Sequence, residues 1–419
     1  MKMLYLSPYS YPEQVSSSHL DSNLSEAYTY AGFDSVTYAP TPTRGVDDET
    51  RKKYAKIRYQ EFNDGHDVLY RFPMFREGKN PLQRAVRYIL VNVIQYFKGI
   101  REKDVDIIMG ASTPPTQGML LGLVKKTLSR KYGRKVPFVY NLQDIFPDSM
   151  VNAKMTTEGS LIWKIGRKVE DFTYRNADKI IVISDDFKRN IMAKGVPEEK
   201  IVVIPNWVDT SAVYSVARDN NPMFEKYGLD PSKFYICYSG NIGHSQNIGM
   251  LLEAAKKLAK ELPELHFVII GDGAAKDELV QAVQDDHIEN ITLLPFQDYA
   301  DIAYVFSLGD AGLIISKPGI GGSSVPSKTW SIMAAERPVL ASFDEDSQLA
   351  ALIRESSCGL VAQAGDVDAF VAAAKQLYAD RQAAAEMGKR GRTYVQEKLS
   401  KETCTGLYVS TITNAISNQ

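Results

Sequence analysis

The chain has 419 residues, a length that predicts two domains or three, and its 44% hydrophobic and 24% charged residues are ordinary for a globular protein. This composition excludes a disordered chain, a fibrous repeat and a small disulfide-rich protein, and 3 widely spaced cysteines with 5 histidines indicate neither a disulfide framework nor a zinc site. Residues 1–207 carry 31 Lys and Arg against 24 Asp and Glu, or +7, whereas residues 208–419 carry 18 against 27, or −9. This asymmetry predicts two domains, of which the first faces an anionic partner.

No run of about 18 apolar residues predicts a transmembrane helix. The apolar stretch at the N-terminus is interrupted at Pro8, too soon for a signal peptide. We therefore expect a cytoplasmic protein, which leaves open a peripheral position at the inner face of the cell membrane.

Short apolar runs rich in β-branched residues alternate along the chain with segments of helical period. The period is clearest in residues 250–262, where Leu251, Ala255 and Leu258 share one face. This alternation predicts parallel sheets covered by helices on both sides. The predicted strands are 105–109, 138–142, 179–184, 201–205, 234–240, 266–271, 291–295, 312–316 and 338–342.

Each half of the chain has enough predicted strands for its own doubly wound sheet. The polar segment 208–231 follows a predicted strand and marks the boundary. We predict an N-terminal Rossmann-like domain of residues 1–207, joined by a C-terminal helix at 401–419, and a C-terminal Rossmann-like domain of residues 208–400. Such sheets bind ligands at the carboxyl ends of their strands, so a reaction is expected in a cleft between the domains.

Basic residues flank an apolar run at 88–97 in the first half, and a second basic cluster spans 125–135. Apolar and basic residues side by side suit a bilayer surface that contains anionic lipid. A core helix beside a solvated basic face explains the same pattern, and the sequence leaves both open. No recognition motif accompanies the charge, so we do not expect nucleic acid as a partner.

Two carboxylates, Asp144 and Asp148, follow the predicted strand 138–142. At a strand end Asp144 could contact a substrate hydroxyl, and an N-cap of a following helix explains it equally well.

Three strand ends in the second half carry turn residues. Residues 240–247 contain two glycines and open a predicted helix, which suits the approach of backbone N–H groups to a phosphate. The spacing is not GxGxxG, and a tight turn explains the segment when it is considered alone. Gly271 and Gly273 end another strand, and Phe296 follows the next, where it either faces a ligand or belongs to the core.

The segment 319–328 has three glycines followed by serines, Pro326 and Lys328. Proline suits a first helical turn, and a lysine at the positive end of a helix is misplaced unless an anion is bound there. An anion site is favoured over a flexible loop with a solvated lysine.

These stretches, in this order, resemble retaining GT-B glycosyltransferases of family 4. Pro326-Ser327-Lys328, followed by residues 333–339, resembles the branch that builds surface polysaccharides such as capsule and O-antigen, often from UDP-linked N-acetylated amino sugars. The resemblance covers residues 140–391, including 180–184, 195–201 and 204–209.

The resemblance implies two Rossmann-like domains, with a nucleotide sugar, UDP-linked in our expectation, in the second domain. It implies a saccharide or polyprenyl-diphosphate-linked acceptor in the first. Neither a cofactor nor a metal is expected, and residues 344–346 are interpreted as an exposed turn. Lys328 would neutralise the leaving diphosphate, and Asp144 would serve as a base or only orient the acceptor. Acceptor contacts are assigned to His19 and Asp144, and donor contacts to Ser17, Gly240, Asn241, Gly243, His244, Asn247, Gly271, Gly273, Phe296, Gly321, Gly322, Ser323, Ser324, Ser327 and Ser331.

The chain departs from this family at three places. Two glutamates that many members carry eight positions apart are missing, the first near Ser323 and the second, which usually binds the ribose, at Ser331. Asn241 and Asn247 replace a basic pair, and residues 16–18 are serines where glycines are common. Two alternatives therefore stay open. One is a UDP-sugar 2-epimerase of the same fold, for which this histidine-poor chain offers few acid–base groups, and the other is a degenerate protein that only binds a nucleotide sugar.

Overall fold

The computed structural model describes residues 1–13, 18–78, 80–152, 155–321 and 326–417. The chain forms two compact units. One consists of Met1–Pro205 and Cys404–Gln419, and the other of Asn206–Thr403.

The first unit is built on one sheet. Its strands are β1 (Lys2–Leu6), β2 (Asp34–Pro40), β3 (Tyr59–Phe62), β4 (Asp67–Phe72), β5 (Ile107–Ala111), β6 (Phe138–Leu142), β7 (Lys179–Val182) and β8 (Ile201–Val203). Among the described residues they lie in the order β3-β4-β2-β1-β5-β6-β7-β8. Strand β3 pairs antiparallel with β4, and the other neighbours are parallel. The order reverses between β1 and β5, which is the topological switch point of this sheet.

Helices cover this sheet on both faces. They are α1 (Ser18–Tyr30), α2 (Asp48–Lys56), α3 (Pro81–Gly99), α4 (Gln117–Tyr132), α5 (Asp148–Asn152), α6 (Leu161–Asn176), α7 (Asp185–Ala193) and α16 (Lys401–Ser417). Side chains of the central strands, such as Leu4, Ile108 and Phe138, are fully buried. The run of buried aliphatic residues is what a parallel sheet with two covered faces requires.

The second unit has a wholly parallel sheet. Its strands are β9 (Phe234–Ser239), β10 (Leu265–Ile270), β11 (Ile291–Leu294), β12 (Ala311–Ile315), β13 (Val339–Phe343) and β14 (Gly359–Gln363). Their order in the described part of the chain is β11-β10-β9-β12-β13-β14. This is the order of a dinucleotide-binding fold, with the switch point between β9 and β12.

The helices of the second unit follow its strands in alternation. They are α8 (Met223–Tyr227), α9 (Ile248–Glu261), α10 (Lys276–Asp285), α11 (Ile302–Ser307), α12 (Lys328–Ala334), α13 (Gln348–Ser356), α14 (Val367–Ala379) and α15 (Arg381–Lys398). The core is centred on fully buried strand residues such as Ile236, Phe267 and Leu340.

All nine strands predicted from the sequence are present, with ends shifted by at most two residues. The run predicted at 105–109, for example, forms a strand at Ile107–Ala111. The predicted helix at 250–262 begins at Ile248 and ends at Glu261. Strands β1 to β4 and β14 were not among the predictions, because several of them are short or rich in polar residues.

Candidate functional site

The loops after β9 and β12 meet at the switch point of the second sheet. The two strands are neighbours although β10 and β11 separate them in sequence, so their following loops leave the sheet in opposite directions and open a crevice. The backbone N–H of Lys317 donates to the carbonyl of Ser245 at 2.9 Å. This bond ties the two loops together at the place where a doubly wound sheet binds its ligand.

Close packing of one backbone segment against another explains why a glycine stands at position 271. Gly240 donates to the carbonyl of Ile270 at 2.9 Å, and Ile242 to that of Asp272 at 2.8 Å. A Cβ built on Gly271 would lie 1.9 Å from the carbonyl oxygen of Gly240. No side chain fits at Gly271, so the loop after β10 packs directly against the backbone of Gly240.

Lys328, the first residue of α12, places its side chain against Gly240. A Cβ on Gly240 would be 2.8 Å from the Nζ of Lys328, and the same Nζ lies 3.7 Å from the centre of the Tyr238 ring. No carboxylate among the described residues pairs with this ammonium. Burial lowers the pKa of Lys328 to about 7, because a desolvated ammonium without a counter-ion is disfavoured. The site therefore holds an amine whose charged form would be stabilised by an anion beside Gly240.

Asp344 holds the glycine segment after β12. Its carboxylate accepts from the N–H of Gly319 at 3.1 Å and from that of Gly321 at 2.8 Å, and the residue is only 8% exposed. The interpretation of residues 344–346 as an exposed turn is therefore wrong for Asp344, although Glu345 and Asp346 are exposed. The sequence offered a signal, since this aspartate lies two residues after the predicted strand 338–342, near the carboxyl end where ligands bind.

Four further predicted donor contacts lie in the loop between β9 and α9. Asn247 caps the helix by accepting from the N–H of Met250 at 3.4 Å. Gly243 is buried, and its N–H donates to the side chain of Gln246 at 2.8 Å. Asn241 and His244 are exposed beside it. Gly243 and Asn247 thus form hydrogen bonds within the loop and with the first turn of α9.

The remaining predicted donor residues of the described chain lie on neighbouring elements. Gly273 follows β10, where a Cβ would be 2.3 Å from the carbonyl oxygen of Ile242. Phe296 follows β11 and is 72% exposed, so it is not a core residue. Ser327 is exposed before α12, and Ser331 is half-buried one turn after Lys328.

Four predicted residues lie outside the described residues, namely Ser17, Gly322, Ser323 and Ser324. His19 lies in the first turn of α1.

Asp144 lies in the first unit, after β6. The hydroxyl of Ser112 accepts from the N–H groups of Gln143 and Asp144, each at 3.0 Å, and so fixes the turn. Asp144 borders a small pocket together with Glu170 and Tyr174. Partial desolvation raises the pKa of its carboxyl group, against a hydrogen bond from Ser149 that lowers it. The helix that follows begins only at Asp148, so the N-cap interpretation of Asp144 does not hold.

Within the described residues, no group of three or more His, Cys, Asp and Glu side chains is arranged to hold a metal ion. In the same residues no helix is long and apolar enough to cross a membrane.

Both halves of the chain match families of known proteins. Residues 22–212 match the family model described as Glycosyltransferase Family 4, and residues 219–394 match Glycosyl transferases group 1. A putative colanic acid biosynthesis glycosyl transferase, WcaI of Escherichia coli, is 26% identical over 368 residues, which cover 86% of this chain and 87% of that protein. The probable glycosyltransferase WbjE of Pseudomonas aeruginosa is 26% identical over 262 residues, and the match spans 62% of each protein.

Two solved structures are similar over the whole chain. Sucrose-phosphate synthase from Thermosynechococcus elongatus has a TM-score of 0.74 at 16% identity and is covered in full, as is this chain. Anabaena HepE in complex with UDP has a TM-score of 0.72 at 15% identity, over 99% of this chain and 100% of that one. These likenesses show the fold and confirm the predicted class, two parallel-sheet α/β domains of the GT-B type.

Proposed function

The chain belongs to the group 1 glycosyltransferases of family 4, and from this membership we propose that it transfers a sugar from a UDP-linked donor to a saccharide or polyprenyl-diphosphate-linked acceptor. In this proposal the sugar is an N-acetylated amino sugar, its anomeric configuration is retained, and the product is a bacterial surface polysaccharide. The relative named for colanic acid biosynthesis supports the pathway class, and the HepE complexes with UDP and UDP-glucose support the donor class.

One observation carries the proposal, the position of the Lys328 ammonium beside the bare backbone of Gly240. A diphosphate bound there would give Lys328 its missing counter-ion and would replace the water lost by burial. Asp344 would keep the glycine segment after β12 in place for the same ligand. The uracil would lie toward Gly273 and Phe296, which follow the two strands on the other side of β9.

In the proposed reaction, the bond between the donor C1 and the diphosphate oxygen breaks, and the electron pair leaves with the diphosphate. The acceptor oxygen forms its bond to C1 on the same face, and its proton passes to the departing phosphate oxygen. Lys328 would stabilise the charge that grows on this oxygen, which is the largest electrostatic change of the step. Asp144 would contact the acceptor hydroxyl or the donor sugar, as a base or only to orient it.

A ligand screen tests the donor. A ligand that binds only the folded protein raises its melting temperature, so UDP and UDP-N-acetylglucosamine should stabilise the chain and GDP should do so less. Lys328→Ala should lose this stabilisation, whereas Lys256→Ala should keep it, because Lys256 pairs with Asp286 on the protein surface. A Lys328→Ala variant with an unchanged UDP shift would remove the main support of the proposal.

A product assay tests the reaction. Incubation with UDP-sugars and a panel of free and polyprenyl-diphosphate-linked saccharides should release UDP only when an acceptor is present, and NMR of the product should show the donor's anomeric configuration. Epimerised UDP-sugar would indicate the epimerase instead. Binding without turnover across the panel would indicate a degenerate protein, an outcome for which Ser331 in place of the usual glutamate is the specific reason.

A further inference from the structure

Helix α3 exposes six large apolar side chains, although two of its polar side chains, Arg87 and Gln95, are fully buried. The exposed apolar positions are Leu82, Val86, Ile89, Leu90, Val93 and Phe97, with exposed fractions between 43% and 73%. They recur every three or four residues, so they form one stripe along the helix. We refer to these six side chains as the α3 face. An exposed aliphatic stripe of this length is unusual on a monomeric globular surface and marks an interaction site.

The opposite side of α3 shows why this orientation is fixed. Gln95 is fully buried and donates to the carbonyl of Ser7, just after β1, at 2.7 Å and to that of Tyr38, within β2, at 2.8 Å. Arg87 is also fully buried and donates to the carbonyl of Phe75 at 3.2 Å. A buried polar group without its partners is costly, so turning the helix to hide the α3 face would break these bonds. The fold therefore keeps the aliphatic stripe outward.

The charged residues of α3 and of its neighbour α4 are all basic. Helices α3 and α4 together contain no Asp or Glu. They lie side by side, since the hydroxyls of Tyr96 and Thr127 are 3.0 Å apart and Lys131 donates to the carbonyl of Ile100 at 2.9 Å. Among the exposed residues of α4 are Lys126, Arg130 and Lys131. An apolar stripe beside a wholly cationic neighbour complements a surface that is anionic outside and apolar beneath.

We propose that the α3 face docks the first unit on a lipid bilayer that contains anionic lipids. The six aliphatic and aromatic side chains would enter the boundary between headgroups and acyl chains, while Lys126 and Arg130 contact the headgroups. A protein partner would need acidic residues around an apolar groove. A bilayer with anionic lipids supplies negative headgroups and an apolar interior along the whole stripe. The inference does not depend on the donor site, because all of these residues lie in the first unit.

Vesicle flotation tests the docking surface. The wild-type chain should float with phosphatidylglycerol/phosphatidylcholine vesicles at low salt and much less with phosphatidylcholine alone. The double variant Ile89→Glu/Val93→Glu should reduce the bound fraction at least tenfold. The control Tyr30→Glu/Leu407→Glu adds the same charge at exposed apolar positions of α1 and α16 and should bind as the wild type does.

Two further measurements distinguish the outcomes. Lys126→Gln/Arg130→Gln should weaken binding and reduce its salt dependence, since it removes the cations but keeps the stripe. Every variant should keep the UDP-induced rise in melting temperature, which separates loss of docking from loss of the fold or of the donor site. Wild-type protein that does not float, or an Ile89→Glu/Val93→Glu variant that floats unchanged, would overturn the proposal. So would a wild-type dimer that this variant converts to a monomer without any vesicle binding, because a second copy would then cover the α3 face.

Discussion

The affinity for UDP should depend on pH through Lys328. Burial lowers the pKa of this ammonium to about 7 in the free protein, and a bound diphosphate should raise it again. The complex then binds more protons than the free protein, so affinity must fall as pH rises above 7. With a pKa of about 7, roughly half of the molecules carry the charge at pH 7.0 and roughly 3% at pH 8.5. We therefore expect the Kd of UDP to rise about 16-fold over this interval. The phosphates add no trend, because their second pKa is about 6.

Titration calorimetry in buffers of different ionisation enthalpy measures this linkage directly. The binding of UDP at pH 8.0 should take up about 0.9 proton, and Lys328→Met should abolish both the uptake and the pH dependence. Lys256→Met is the matched control and should change neither. A Kd that stays constant between pH 7.0 and 8.5, or a proton uptake that persists in Lys328→Met, would refute the role of this side chain.

Three further substitutions test the surroundings of the site. Asp344→Asn should weaken UDP binding about tenfold, because the amide cannot accept fully from both glycine N–H groups. The control Asp346→Asn, at an exposed position, should leave UDP binding unchanged. Equal affinities of the two variants in a calorimetric titration would contradict the role of Asp344. Gly271→Ala should lower the free energy of unfolding, measured in urea, by about 3 kcal/mol because of the backbone clash. Gly249→Ala, with no atom near its Cβ, should raise it by about 0.5–1 kcal/mol. Similar urea midpoints for the two variants would disprove the packing argument. Asp144→Asn should lower kcat about 100-fold without changing the UDP-induced thermal shift, and an unchanged kcat would remove Asp144 from the reaction.

The strands and loops of the second unit were predictable because their sequence pattern is strong. Buried parallel strands are short continuous apolar runs, and each is followed by a turn residue such as Gly240 or Gly271. The strands near the N-terminus were not predictable in this way. Strand β2 is Asp34–Pro40 and carries polar residues at its start, and β3 is an antiparallel edge strand of only 4 residues, so neither shows a continuous apolar run in the sequence.

The candidate site was predictable as a set of segments but not as a set of contacts. The glycines and Lys328 could be found because their residue types are unusual at strand and helix ends. The contact between Lys328 and the Tyr238 ring joins residues 90 positions apart in sequence, so no local sequence pattern predicts it. Asp344 was misread for a similar reason, because its partners lie 23 and 25 residues before it.

Helix α3 shows a different limit. Its composition fits both a core helix and a surface helix, since Val91 is fully buried and Ile89 is 56% exposed. The choice is made by Gln95 and Arg87, whose partners are backbone carbonyls of other segments. A hydrophobic pattern that ignores these polar anchors assigns the wrong side of the helix to the core.

A crystal structure of the chain with UDP is the most direct test of the diphosphate site. We expect the diphosphate next to the backbone of Gly240, with the Nζ of Lys328 about 2.8 Å from one of its oxygens. A diphosphate bound elsewhere, or a Lys328 side chain that remains over the Tyr238 ring without touching a phosphate, would contradict the account.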